Sequence, residues 1–182
     1  MDPQMRTLFG SFTQALGTVT SAVGSIPSLS EKKQFALDLW GNVLQATGSA
    51  LEADDKTSNV LGTYGNGIQS IGNVTVVAAL LSKEGERLEI TGNWLQSLGG
   101  LLSFADDWGS EQSSPLNPVG NVLQSIGNAL QAIGGIYEER GNKEEGQSIS
   151  IAGAWIQAVG SILCFLDKFL TTQEGLPPLQ RK

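Results

Sequence analysis

Glycine, a small polar residue, an apolar residue, an aliphatic residue, glutamine, a small residue, an apolar residue and glycine again: this phrase recurs seven times along the 182 residues and restricts the fold more tightly than any other feature. The copies begin at Gly10, Gly41, Gly65, Gly92, Gly120, Gly127 and Gly153. Recurrence at this interval marks an array of similar structural units.

On a helix advancing ~100° per residue, phrase positions 0, 4 and 7 share one narrow stripe, and positions 3, 6 and 10 share an adjoining arc. Each copy therefore predicts a Gly-Gln-Gly stripe: Gly10, Gln14 and Gly17; Gly41, Gln45 and Gly48; Gly65, Gln69 and Gly72; Gly92, Gln96 and Gly99; Gly120, Gln124 and Gly127, continuing through Gln131 to Gly134; and Gly153, Gln157 and Gly160. The adjoining arc carries residues such as Leu95, Leu98 and Leu102, or Ile156, Val159 and Leu163, and reads as ordinary core. Asparagines and serines at positions 1 and 5, among them Asn93, Ser97, Asn121 and Ser125, read as a small polar remainder. Strict alternation fails at Leu95-Gln96-Ser97-Leu98, which argues against a strand.

Each interior glycine costs about 1 kcal/mol in a helix relative to alanine. Two per phrase imply a return through close approach of a neighbouring backbone. Glutamine between them is expected to bond exposed carbonyls or a facing glutamine, because a buried amide without partners is expensive.

One phrase per helix predicts an all-α chain of six amphipathic antiparallel helices, built as a compact bundle or a short helical repeat stack. Helix one is expected from Met5 to about Gly24. A Ser28-Leu29-Ser30-Glu31 capping box should start helix two, which runs to about Ala53. Helix three is expected from about Lys56 to Leu81, and helix four from Ser82 to about Phe104. After a long connection, Asn117-Pro118 reads as a cap and first position for helix five, which ends near Arg140 with Gly141 as its terminal glycine. Asn142 to Glu145 should start helix six, which runs to about Thr172. Residues 1–173 read as a single domain and 174–182 as a flexible tail.

The chain has no histidine, which removes an essential group from serine-histidine, cysteine-histidine and common zinc or di-iron helix-bundle sites. The carboxylate pairs, such as Asp54-Asp55, Asp106-Asp107 and Glu138-Glu139, read as solvated helix ends, and none has the spacing of a calcium loop. No catalytic, cofactor or metal-ligating residue is expected. A net charge of −7 with scattered basic residues excludes phosphate-tracking nucleic-acid binding and disfavours docking on anionic lipid. Every apolar stretch is interrupted by polar residues, so no conventional membrane span is expected. The single cysteine, Cys164, reads as a small buried hydrophobe and fits a reducing, cytoplasmic setting. Trp40, Trp94 and Trp155 read as core anchors, and Trp108, in the long connection, as an anchor for a partner.

The repeated Gly-Asn-x-Leu-Gln-Ser-Ile/Leu-Gly phrase, clearest at Gly92 to Gly99 and Gly120 to Gly127, resembles that of glycine-rich repetitive proteins of unknown function from Bacillus and related spore-forming bacteria. The resemblance implies no catalytic residue, cofactor or partner. Taken together, the residues point to a non-enzymatic structural or protein-interaction module. Its partner would be another copy or another helical protein, joined through a leftover Gly/Gln stripe. The alternative is a membrane-active amphipathic protein, pore-forming or bound at a lipid surface.

Overall fold

The computed structural model describes residues 2–54, 60–83, 85–108 and 114–174. Among them six helices follow one another: α1 (Pro3–Gly24), α2 (Glu31–Ala53), α3 (Val60–Leu80), α4 (Glu86–Trp108), α5 (Leu116–Glu139) and α6 (Lys143–Glu174). Each packs against its sequence neighbours, and α6 returns to α1, so the helices close into a ring. Helices across the ring make no backbone-level contact, and the axis is filled by side chains.

Two kinds of interface alternate around this ring. Within each hairpin, glycines pair in antiparallel register. An added Cβ on Gly17 would lie 2.6 Å from the Gly41 carbonyl oxygen, and one on Gly48 2.5 Å from that of Gly10. The same reciprocal pairing joins Gly65 to Gly99 and Gly72 to Gly92, and then Gly120 to Gly160, Gly127 to Gly153 and Gly134 to Gly146. No side chain larger than hydrogen fits where backbones come this close. Between hairpins, hydroxyls make the link. Ser70 Oγ donates to the Ala46 carbonyl at 3.0 Å, Ser125 Oγ donates to the Ser97 carbonyl at 2.9 Å, and Thr18 bonds Ser161.

The three hairpins are copies of one unit. Gln14 is separated from Gln69 by 55 residues and from Gln124 by 110, and the same step carries Gly10 to Gly65 and Gly120. The ring thus has an approximate threefold repeat.

Several local expectations are corrected. Ser30 occupies the cap position of α2, but its side chain makes no capping hydrogen bond. Helix α4 is shifted toward the C-terminus, taking in Asp106, Asp107 and Trp108, so Trp108 ends a helix rather than sitting in a connection. Pro115, not Asn117, precedes α5, and Pro118 lies within its first turn, where a missing N–H costs nothing. At the α5 terminus Gly141 has φ +91°, and its N–H donates to the Glu138 carbonyl at 2.9 Å. The start of helix three at Lys56, residues Asp55 and Glu84, and all but the first residue of the expected tail lie outside the described residues.

The largest correction concerns which face is inside. Many large apolar side chains point away from the ring: Phe12, Leu16, Ile71, Leu98, Leu101, Ile126 and Val159 are exposed, while Leu95, Leu102, Ile156 and Leu163 of the expected core arc are half-buried. Trp40, Trp94 and Trp155, expected in a core, are 62%, 44% and 42% exposed. Buried hydrophobic residues are small, mostly alanines such as Ala22, Ala132 and Ala158. The buried set is otherwise polar, including Asn42, Asn93, Asn121, Asn128, Ser97 and Ser125 at phrase positions 1 and 5, which turn inward, and Asn73 beside the third phrase. Relative to a water-soluble bundle, the hydrophobic pattern is inverted.

Candidate functional site: a glutamine-filled axis

Six stripe glutamines converge on the axis in two layers. In one, contributed by α1, α3 and α5, Gln14 Nε2 donates to Gln69 Oε1 at 3.1 Å and to Gln124 Oε1 at 3.0 Å. In the other, contributed by α2, α4 and α6, Gln157 Nε2 donates to Gln45 Oε1 at 2.8 Å and to Gln96 Oε1 at 3.4 Å. Gln131, from the overlapping phrase, donates to Gln157 Oε1 at 2.9 Å. Gln45 and Gln124 are only 2% exposed.

Helix geometry explains this convergence. The glycines on either side of each glutamine draw the neighbouring helix close, which leaves the long amide only the axis to enter. An amide both donates and accepts, so a glutamine can satisfy another glutamine without a charge. Satisfaction is incomplete: Gln96 Nε2 and Asn73 Oδ1 have no hydrogen-bond partner among the described residues.

The glutamine layers separate two mouths. At one end is a chamber of about 210 Å³ to which all six helices contribute: Thr7 and Gln14, Glu52, Asn66, Ser103 with Asp106 and Asp107, Asn117 with Asn121 and Gln124, and Cys164 with Lys168. Lys168 Nζ donates to Glu52 Oε2 at 2.6 Å, and both side chains are largely buried. Asp107 Oδ2 accepts from Asn117 at 2.9 Å and Asn121 at 2.6 Å. The Asp106-Asp107 pair, expected to be a solvated helix end, therefore belongs to the axis. Cys164 is buried, and its Sγ accepts from Gln124 Nε2 at 3.3 Å.

At the opposite end, one cavity of about 150 Å³ gathers Glu86, Glu89, Glu138 and Lys143, and another of about 320 Å³ gathers Glu31, Asp38 and Glu89. This mouth is predominantly acidic. Glu138, near the α5 terminus, takes up a proton more readily than a free glutamate, first because of burial and then because Glu86 is close. Hydrogen bonding by Ser150 and the charge of Lys143 oppose that shift.

Trp108 stands away from the axis. It is 76% exposed and packs against Phe104 with ring centroids 5.5 Å apart and planes tilted by 45°, beside an outer apolar groove lined with Pro115, Pro118 and Val119. Among the described residues no group of three or more acidic or cysteine side chains is placed to grip a metal ion.

Charge follows the same plan as polarity. No Asp, Glu, Lys or Arg occurs in residues 7–30, 39–51, 57–82, 90–105, 112–137 or 146–166, so each helix has an uncharged middle. Among the described residues one helix, Lys143–Gln173, has a segment of mean hydropathy 1.9 that is, by length and composition, long and apolar enough to cross a membrane, where none was expected. Within the ring, 39% of that segment is buried.

The fold and its axis define a class: an all-α ring with a polar, amide-filled centre and an apolar outside. The chain belongs to the family of unknown function DUF6944, which matches residues 5–165. No curated protein and no solved structure matches it.

Proposed function

We propose that this protein works inside a lipid bilayer as a non-enzymatic helical ring of the pore-forming kind, with its polar axis held closed by the two glutamine layers. The inversion of its faces is the observation that carries this reading. In water, burying a large apolar side chain is worth about 1.5–3 kcal/mol, so a monomer exposing Phe9, Phe12, Trp40, Ile71, Trp94 and Leu98 together gives up its main driving force. In hydrocarbon that penalty vanishes. Association then depends on close packing of small residues and on interhelical polar bonds, which are the two interface types of this ring.

Helices of 21 to 32 residues are about 32–48 Å long, against a hydrocarbon thickness of about 30 Å, but the uncharged stretches of α2 and α4 span only about 20 and 24 Å, so Asp38, Glu52, Glu89 and Asp106 must be sheltered by the axis. Hydropathy along most of the helices understates the lipid-facing surface, since glycines, asparagines and glutamines on the inner face dilute the average.

A second reading rests on the same outer face. Ring closure leaves no Gly/Gln stripe at a free end, so self-association would have to use the exposed aliphatic and aromatic surface instead. Flotation separates the two readings. Full-length protein mixed with neutral phosphatidylcholine vesicles is expected to rise with the lipid in a density gradient. A monodisperse lipid-free species that stays at the bottom overturns the bilayer reading, and light scattering then tells whether that species is an oligomer. For the pore component, Gln14→Ala combined with Gln157→Ala is expected to raise leakage of small ions from loaded vesicles. Leakage equal to that of the unaltered protein removes it.

A further inference from the structure

The chamber beside Lys168 contains more oxygen than its own donors satisfy. Lys168 is committed to Glu52, Asn117 and Asn121 are committed to Asp107, and Gln14 Nε2 serves two glutamines. Two residues lining the same space carry oxygens, Glu52 Oε1 and Ser103 Oγ, that have no hydrogen-bond partner among the described residues, although Glu52 is only 5% exposed and Ser103 6%. Asp106 adds a third carboxylate, against one ammonium group. A buried oxygen without a partner costs about 1–3 kcal/mol. An unpaired carboxylate oxygen at a chamber holding three carboxylates and one ammonium group favours an occupant that brings positive charge, and a neighbouring serine hydroxyl can accept such an ion as a ligand.

We propose that this chamber binds a monovalent inorganic cation, sodium or potassium, with part of its hydration shell retained. The donor set consists of hard oxygens, which suit such ions. Direct chelation of a divalent ion does not fit, because among the described residues no three carboxylates are grouped closely enough to ligate one metal. At about 30 Å³ per water, 210 Å³ accommodates the ion and several waters. Lys168 stays paired with Glu52 and offsets one of the three negative charges when the ion is gone. The site is enclosed by the ring itself, so it does not depend on the bilayer reading. Failure of the vesicle flotation would leave it standing.

The test uses the full-length chain in a mild detergent, with thermal unfolding followed by far-ultraviolet circular dichroism. Chloride salts of sodium, potassium, magnesium, calcium and N-methylglucamine are compared at matched ionic strength. Sodium or potassium should raise Tm in a saturable way relative to N-methylglucamine, by about 5–10 °C at a hundredfold excess over Kd. Ser103→Ala and Asp106→Asn should each remove at least half of that rise while leaving Tm in N-methylglucamine unchanged or higher. Reversible broadening of the sodium-23 resonance by the protein, relieved by excess potassium, would support the same assignment. Equal Tm in all salts, a response confined to magnesium or calcium, or a full response retained in both variants would overturn it.

Discussion

Gly127 and Gly67 lie on opposite faces of the same kind of helix, and replacing each with alanine should shift stability in opposite directions. At Gly127 an added Cβ would lie 2.6 Å from both the Gly153 carbonyl oxygen and the Gln157 backbone nitrogen. Ordinary contact begins at 3.4 Å, so α5 and α6 must separate locally by roughly 0.8 Å. Overpacking of this kind costs about 1–3 kcal/mol, and the better helix propensity of alanine returns about 1 kcal/mol. Because the obstruction is backbone, the upper part of the strain range applies, giving a net loss of about 1–2 kcal/mol, or a Tm lower by about 2–8 °C. At Gly67, an outward position of the third phrase, nothing lies within 4 Å of an added Cβ. There the propensity gain stands alone, and Tm should rise by about 2–4 °C. Unfolding of both variants in the same detergent, followed by far-ultraviolet circular dichroism, gives the comparison. If Gly127→Ala stabilises as much as Gly67→Ala, the close approach of paired glycines does not hold the ring together.

Gln157→Leu strands the amide of Gln131 and the carbonyl oxygens of Gln45 and Gln96 at once, and should lower stability by about 2–4 kcal/mol in denaturant titrations; a loss below 1 kcal/mol would mean the layer contributes little. Lys168→Met leaves Glu52 buried without its counter-charge and should cost about 3–5 kcal/mol, whereas the double variant with Glu52→Gln should recover most of that; an additive double-mutant cycle would contradict the pairing. Burial pushes Asp38 up to about 6, and burial together with the charges of Asp38, Glu138 and Glu86 pushes Glu89 up to about 7, so between about pH 4 and 7 stability should fall as pH rises. Asp38→Asn combined with Glu89→Gln should flatten that slope in a series of Tm measurements, and an unchanged slope would place its origin elsewhere.

The six helices were legible because each phrase repeats with helical phase and most connections contain breakers such as Pro27, Pro115 and Gly141. Orientation was harder to read. Taking the aliphatic arc as core assumes water outside, and that assumption turned Trp94, Trp155 and Leu98 inward. The phase arithmetic itself points the other way. Phrase positions 2 and 6 lie 120–160° from the Gly-Gln-Gly stripe, so a stripe packed between helices must send Phe12, Trp94, Trp155, Leu16 and Leu98 outward, as observed. Uncharged helix middles in every repeat were the second available signal. The 55-residue step that brings Gln14, Gln69 and Gln124 into one layer is also written in the sequence, but it appears only when alternate phrases are compared. Glu52, Ser103 and Cys164 share one phrase position, seven residues after Gln45, Gln96 and Gln157 and on the same stripe, so their arrival at one end of the axis was also written in the sequence. The pairing of Lys168 with Glu52 was not, because it depends on the ring closing α6 against α1.

Tryptophan fluorescence in vesicles tests the inverted faces most directly. Variants retaining only Trp94 or only Trp155, reconstituted into bilayers with brominated acyl chains, should be strongly quenched by the bromines and barely by aqueous iodide. Efficient iodide quenching with no effect of the brominated chains would contradict the account.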